Sequence, residues 1–292
     1  MTDVDGEIEH AGFGGLIAVI ARRRERNRRA QIQTRHIRDT NGRAMKPGTG
    51  TQSLAGRGIL DNGDVTGTVS ASPDRQAPQL VIFDLDGTLT DSADGIVSSF
   101  RHALGHIGAA VPGGDLASRI VGPPMHHTFS VMGLGDDTEA AIAAYRADYS
   151  TRGWAINSLF DGIGPLLADL RAAGVRLAVA TSKAEPTAQR ILAHFGLDEH
   201  FEVVAGASVD GTRATKADVL AHALAQLQPL PERVLMVGDR HHDVEGAAAH
   251  GIDAVVVGWG YGQADFADTT PGTTSGASHV ATVAELRRAL GV

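Results

Sequence analysis

Residues 81–92 carry the sequence VIFDLDGTLTDS, in which an apolar run ends at two aspartates separated by one residue. The apolar residues 81–83 are typical of a strand that is buried on both faces. Because alternate side chains of a strand point the same way, Asp84 and Asp86 should lie on one side of the strand end. An acidic surface turn is the alternative, but the buried strand just before it favours a functional site.

Two acidic groups in one pocket repel each other. Both ionise easily only if a cation lies nearby, and otherwise one of them keeps its proton and can act as a general acid. The pair Asp84 and Asp86 therefore predicts either a metal site or acid–base chemistry at the end of the first strand.

Apolar runs alternate with helical periodicity from Pro78 onward. Strands are predicted at 79–83, 176–180, 201–204, 233–237 and 254–257. Helices are predicted at 163–174, 185–196, 215–227 and 241–250, and a capping box from Thr282 to Glu285 predicts a last helix. Strands that alternate with helices form a parallel sheet covered on both faces, so the predicted fold class is α/β with a doubly wound parallel sheet.

The first two predicted strands lie too far apart for a simple crossover, which needs about a dozen residues. Helical segments fill the interval and are placed at 93–108, 117–132 and 137–149. This surplus predicts a small all-helical cap, residues 93–159, above the carboxyl ends of the strands, where open parallel sheets bind ligands. Residues 77–92 and 160–292 then form the α/β core.

The first 76 residues differ in composition from the rest of the chain. They contain 12 Lys/Arg against 9 Asp/Glu, 11 of the 36 glycines and a single aromatic residue, Phe13. So little apolar surface predicts a disordered N-terminal segment. Its arginine run at 22–29 lacks interleaved aromatic residues, so we expect a solvated tail and no nucleic-acid partner.

Cysteine is absent from the sequence, which excludes disulfides, thiolate metal sites and cysteine nucleophiles. The net charge is −8, and the apolar stretch at 16–21 is too short to cross a membrane. An arginine run follows that stretch, whereas a secretory signal would place its basic residues before it. We therefore expect a cytoplasmic protein without a membrane span.

The stretch 84–92 resembles the first motif of the haloacid dehalogenase superfamily of phosphotransferases. Three further motifs resemble the family in order: the strand end at 177–183, the lysine at Lys216 and the run VGDRHHD at 237–243. The resemblance covers residues 79–260 and implies a Rossmann-like core.

The family resemblance also implies catalytic roles. Asp84 would attack phosphorus and form an aspartyl phosphate, while Asp86 would protonate the leaving oxygen and later deprotonate the acceptor. Thr181, Lys216 and the backbone amide of Ser182, at the start of the next helix, would hold the phosphoryl oxygens. In the alternative interpretations, Lys216 is a solvated residue at a helix start and Thr181 only caps a helix.

The metal that the resemblance implies is Mg²⁺. Its ligands would be Asp84, the backbone carbonyl of Asp86 and Asp239, with Asp243 as a ligand or as a neighbour of one. Asp243 has a structural alternative as an acidic residue in the first turn of a helix.

Two activities remain open at this point. The cap and the segments 122–124 and 160–164 resemble phosphoglycolate phosphatases, which implies hydrolysis of small phosphate esters. The basic N-terminal segment joined to such a domain resembles a bacterial tyrosine kinase of the superfamily. That resemblance implies ATP as the phosphoryl donor and a low-molecular-weight protein tyrosine phosphatase as the protein substrate. The unusual N-terminal segment narrowly favours the kinase, with the phosphatase as the alternative.

Tyr261 follows the last predicted strand, on the same side of the sheet as Asp84 and Asp239. If the protein phosphorylates tyrosine, Tyr261 is a possible phosphoacceptor. Alternatively, it packs against the cap together with Trp259.

Overall fold

The computed structural model describes residues 77–266 and 277–292, so the predicted disordered segment at 1–76 lies outside the described residues. Helices and strands alternate from residue 163 to residue 257, after four consecutive helices that come between the first strands and that region. Their bounds are β1 (Leu80–Phe83), β2 (Thr90–Asp91), α1 (Ala93–His106), α2 (Ala117–Ile120), α3 (Met125–Ser130), α4 (Thr138–Thr151), β3 (Ser158–Leu159), α5 (Ile163–Ala172), β4 (Arg176–Ala184), α6 (Glu185–His194), β5 (Val203–Ala207), α7 (Lys216–Gln226), β6 (Val234–Gly238), α8 (His241–Ala248), β7 (Asp253–Val257), β8 (Ala277–Val280) and α9 (Val283–Leu290).

Six parallel strands form the main sheet in the order β5-β4-β1-β6-β7-β8. Strand β1 lies between β4 and β6, and Phe83 is aligned with Val179 on one side and Val237 on the other. This confirms the predicted doubly wound α/β class. Because the strands are parallel, the residues that follow β1, β4 and β6 meet at one edge of the sheet.

Alternate residues of β1 enter two different hydrophobic clusters. Val81 and Phe83 pack under α5, α6 and α9, whereas Leu80 and Ile82 pack under α7 and α8. All four side chains are fully buried. Burial on both faces explains why the strand is a continuous apolar run instead of an alternating one.

Helices α1 to α4 come between the short strands β2 and β3 in the sequence, and they pack around a separate cluster that includes Phe100 and Phe129. The rings of these two residues stack with their centroids 5.3 Å apart. Strands β2 and β3 pair with each other in antiparallel fashion. The prediction of one helix over 117–132 is wrong, because the structure has two short helices, α2 and α3, with a break at Gly122. Gly122 has φ +104°, and the two prolines that follow it have no N–H groups to continue a helix.

Three strands were not predicted from the sequence. Strands β2 and β3 have two residues each, too few to show a pattern. The edge strand β8, with the sequence ASHV, has no apolar run, because it is only partly buried and is held by its backbone pairing with β7. None of the described helices is long and apolar enough to cross a membrane.

The last helix, α9, offers a test of the fold. Leu286 is fully buried against the sheet, so Leu286→Ala should lower the free energy of unfolding by about 2–5 kcal/mol. Arg288 is exposed on the same helix, and Arg288→Ala should change it by less than about 0.5 kcal/mol. Denaturant titration measures both, and equal effects would show that α9 does not pack as described.

Candidate active site

Four acidic residues converge where β1 and β6 end. Asp84 and Asp86 follow β1, and Asp239 and Asp243 follow β6. The backbone N–H of Asp84 donates to the carbonyl of Val237 at 2.8 Å, so the pairing of β1 with β6 continues into the site. All four acidic residues are buried.

Gly87 turns the chain directly after Asp86. Its φ is +81°, a conformation that favours glycine, and a Cβ there would collide with the carboxylate of Asp239. The N–H of Gly87 donates to the carbonyl of Thr90 at 2.9 Å, which closes the turn. Gly87 therefore allows the loop after β1 to lie close to Asp239.

Asp84, Asp239 and Asp243 form a cluster in which one oxygen of each lies within 4.8 Å of the others. Asp239 Oδ2 accepts a hydrogen bond from the N–H of Tyr261 at 2.7 Å. Its Oδ1 is buried and receives no hydrogen bond from the described part of the chain. Burial, reinforced by the charges of Asp243 and Asp84, raises the pKa of Asp239 well above its usual value.

This cluster fits a hard divalent cation such as Mg²⁺. Carboxylate oxygens are the ligands that Mg²⁺ prefers, and a positive charge would relieve the repulsion within the cluster. The unpartnered Oδ1 of Asp239 is available as a ligand atom. Asp243 Oδ2 instead accepts a hydrogen bond from the N–H of Arg240 at 3.0 Å, which holds Asp243 at the start of α8.

Lys216 lies on the other side of Asp84. Its Nζ is 2.9 Å from Asp84 Oδ1 and 2.7 Å from Asp243 Oδ1, and it donates to the carbonyl of Ala180 at 2.9 Å. Thr215 caps α7 in a capping box, which fixes Lys216 in the first turn. Burial favours the neutral amine, but the charges of Asp243 and Asp84 outweigh it, so the pKa of Lys216 is raised. Lys216 is therefore a buried ammonium group.

Lys183 is a residue of this site to which the sequence analysis gave no role. Its Nζ lies 2.9 Å from Asp86 Oδ2 and donates to Tyr149 Oη at 2.7 Å. Burial favours the neutral amine, yet the charge of Asp86, reinforced by Tyr149 and Tyr145, outweighs it and raises the pKa of Lys183. A sequence signal existed, because Thr181 and Lys183 are two residues apart along an extended chain.

Thr181 is buried in β4, and its Oγ1 accepts a hydrogen bond from the N–H of Lys183 at 3.2 Å. The prediction that Ser182 begins a helix is wrong, because β4 continues to Ala184 and α6 begins at Glu185. The register of β4 with β5 shifts between Thr181 and Ala184, and the strand continues to Ala184. Ser182 nevertheless lines the cavity beside Asp86.

Tyr261 lies where the first cap helix begins. Its hydroxyl donates to Asp91 Oδ1 at 2.6 Å and accepts a hydrogen bond from the N–H of Ala93 at 3.1 Å. Its ring contacts the cluster of the cap helices, whereas Trp259 packs against the core cluster. Burial and the bond to Asp91 raise the pKa of Tyr261. The hydroxyl is thus engaged in a structural contact, which disfavours it as a phosphoacceptor.

A cavity of about 500 Å³ opens beside Asp86, between the cap helices and the sheet. The core contributes Lys183 and Arg213 to its walls, and the cap contributes Tyr145, Tyr149 and His126. Oδ1 of Asp86 is buried and accepts no hydrogen bond from any described residue. A substrate in the cavity would therefore meet Asp86 from the cap side.

The sequence of this chain is similar to those of known enzymes. Residues 81–257 match the family described as haloacid dehalogenase-like hydrolase. The chain is 69% identical over 254 residues to the tyrosine-protein kinase PtkA of Mycobacterium tuberculosis, covering 82% of this chain and 87% of that protein. It is 40% identical over 189 residues to a 5'-nucleotidase of Pseudomonas aeruginosa, covering 63% of this chain and 85% of that protein.

A solved structure shows the same fold. The structure of protein tyrosine kinase A of Mycobacterium tuberculosis has a TM-score of 0.67 and 76% sequence identity with this chain. The match covers 74% of this chain and 100% of the chain in the solved structure.

The raised pKa of Asp239 leads to a prediction about stability. The folded state disfavours the ionised form of Asp239, so ionisation of this carboxyl group lowers the stability of the fold. This loss of stability is absent below the usual aspartate pKa and grows as the pH rises above it. At pH 7 without Mg²⁺, Asp239→Asn should therefore raise the unfolding temperature by about 2–4 °C, the shift that about 1 kcal/mol produces in a domain of this size.

Added Mg²⁺ should raise the unfolding temperature of the unmodified protein and leave that of Asp239→Asn unchanged. Asp94→Asn, at an exposed acidic residue of α1, is the control and should respond to Mg²⁺ like the unmodified protein. If Asp239→Asn is stabilised by Mg²⁺ to the same extent, Asp239 is not a ligand. Differential scanning calorimetry measures all three.

Proposed function

Since the chain belongs to the haloacid dehalogenase-like hydrolase family, we propose that it is a magnesium-dependent phosphatase that hydrolyses small phosphate monoesters through an aspartyl phosphate at Asp84. The observation that carries this proposal is the juxtaposition of two carboxylates with different partners. Asp84 contacts Lys216 and belongs to the cluster that could bind a metal, whereas Asp86 contacts Lys183 and lines the cavity. Asp84 thus lies among the residues that would hold the metal, where a nucleophile is needed, and Asp86 lies where it can reach a leaving oxygen in the cavity.

The reaction has two transfers. A carboxylate oxygen of Asp84 attacks phosphorus, the bond from phosphorus to the leaving oxygen breaks, and Asp86 gives that oxygen its proton. Asp86, now ionised, takes a proton from water, whose oxygen attacks phosphorus and releases phosphate from Asp84. Splitting the transfer in this way replaces one difficult step by two easier ones.

The phosphoryl oxygens carry growing negative charge during both steps. Lys216 supplies a buried ammonium group beside Asp84, and the hydroxyl of Thr181 supplies a hydrogen bond. Asp84, Asp239 and the backbone carbonyl of Asp86 would hold Mg²⁺, with Asp243 as a further ligand or a neighbour. When bound, the ion supplies positive charge that allows an anionic substrate to approach a cluster of carboxylates.

Phosphorylation of protein tyrosine is the second candidate function. The observation that favours it is the 69% identity to PtkA over 82% of this chain. The same aspartyl phosphate could pass its group to a phenol if tyrosine replaced water as the acceptor. The unusual N-terminal segment narrowly favours this activity, but the family description and the 5'-nucleotidase relative support hydrolysis better. ATP as donor and a low-molecular-weight protein tyrosine phosphatase as substrate remain predictions.

Product analysis separates the two functions. The purified protein is incubated with Mg²⁺ and either a nucleoside monophosphate or ATP labelled on its terminal phosphate, with and without a tyrosine-containing peptide. The phosphatase predicts free phosphate from the monoester whether or not the peptide is present. Label on tyrosine, with little free phosphate, would favour the kinase.

Asp84→Asn should abolish turnover, because the amide has nearly the same shape but is not a nucleophile. We expect a fall of at least about 10³-fold in kcat with an unchanged circular dichroism spectrum. Asp94→Asn changes the same residue type on the exposed surface and should retain full activity. Turnover by Asp84→Asn near that of the control would remove Asp84 from the nucleophile role.

Asp86→Asn should have a selective effect, because the amide cannot protonate the leaving oxygen. On alkyl phosphates, kcat/KM should fall by about 10²–10⁴-fold, the usual contribution of a general acid. On p-nitrophenyl phosphate, whose leaving group needs little protonation, the fall should be much smaller. A uniform loss on both substrates would contradict the role of Asp86 as the acid.

A further inference from the structure

A chain of polar contacts connects the cap to Asp86. Tyr149 lies in the cap helix α4, and its hydroxyl accepts a hydrogen bond from Lys183 Nζ at 2.7 Å. The same Nζ lies 2.9 Å from Asp86 Oδ2. Lys183 therefore bridges a cap residue and the acid–base carboxylate.

The bridge is buried and its geometry is fixed. The side chains of Lys183 and Asp86 are only 7% and 9% exposed, so water competes little for their contact. Lys183 Nζ also lies 4.6 Å from the centroid of the Tyr149 ring, a distance at which the ring attracts the cation. Two interactions with Tyr149 thus hold the ammonium group in place.

The contact with Lys183 also determines which oxygen of Asp86 is left to contact the leaving group. Oδ2 is engaged by Lys183, whereas Oδ1 is buried, receives no hydrogen bond from a described residue and belongs to a side chain that lines the cavity. An acid–base group must lie within hydrogen-bond reach of the leaving oxygen, so a fixed carboxylate orientation increases the rate.

We propose that Tyr149, acting through Lys183, is a positioning residue that orients the carboxylate of Asp86 for proton transfer to the leaving group. This inference rests on the proposed function, because it assigns Asp86 the acid role. It predicts that the cap influences the rate most for esters whose leaving oxygen needs the proton, and that substrate preference depends on Tyr149.

Tyr145 provides a matched control on the same helix. It lies one turn before Tyr149, its ring stacks on the Tyr149 ring at 5.4 Å between centroids, and both rings line the cavity. Both side chains are buried to nearly the same extent, 8% and 7% exposed. Within the described chain, only the Tyr149 hydroxyl of this pair is hydrogen-bonded to Lys183.

The experiment compares Tyr149→Phe with Tyr145→Phe on a series of aryl phosphates, whose ring size is constant while the acidity of the leaving phenol varies. The measured quantity is kcat/KM, because it reports the step in which the leaving group departs even when hydrolysis of the aspartyl phosphate limits kcat. Thermal unfolding of each variant shows whether its structure is retained.

For Tyr149→Phe we expect the ratio of kcat/KM on phenyl phosphate to that on p-nitrophenyl phosphate to fall about fivefold, a part of what complete loss of the acid would cause. Tyr145→Phe should leave the ratio within about twofold of the unmodified protein. Lys183→Met should lower it further than Tyr149→Phe, since it removes the bridge itself, and Lys183→Arg should restore part of it.

An equal loss on both esters by Tyr149→Phe, or the same change of ratio by Tyr145→Phe, would overturn the positioning role. If Lys183→Met does not fold, the two tyrosine variants decide the result alone. Failure of the proposed function gives a different outcome: the unmodified protein would hydrolyse no phosphate ester, and Asp84→Asn would match it.

Discussion

The buried charges at the carboxyl end of β1 do not balance one another. Asp84, Asp86, Asp239 and Asp243 bring four carboxylates to one edge of the sheet, and Lys183 and Lys216 supply two ammonium groups among them. Removing charges from water is costly unless they are paired. If all six groups are ionised, two negative charges remain, which is the charge that a divalent cation neutralises. Burial, together with the charges of Asp243 and Asp84, raises the pKa of Asp239.

The topology explains how distant residues meet there. Strand β1 lies between β4 and β6, so its carboxyl end is next to the ends of both. Each of the three strands contributes to the site: β1 leads to the acidic pair, β4 carries Thr181 and Lys183, and β6 leads to Asp239. The cap completes the site from the other side, because Tyr149 reaches Lys183 and Tyr261 connects the loop after β7 to the start of α1.

The sequence predicted those parts of the fold and site that depend on local patterns. The apolar run before Asp84 identified the central strand, and the spacing of the family motifs identified Lys216 and Asp239. Lys183 was missed because its partner Tyr149 lies 34 residues away along the chain, on a different element. Likewise, β8 is stabilised by backbone pairing with β7 instead of by an apolar run, so its composition gave no signal.

The proposed reaction requires a covalent bond between phosphorus and Asp84, and chemical trapping can detect that bond. The protein is mixed with a phosphate ester and Mg²⁺, the reaction is stopped in acid during turnover, and the acyl phosphate is reduced with borohydride before peptide mass spectrometry. Reduction of an aspartyl phosphate yields homoserine, so we expect homoserine at position 84. An unmodified Asp84 in every peptide during continued turnover, or homoserine only at another aspartate, would contradict it.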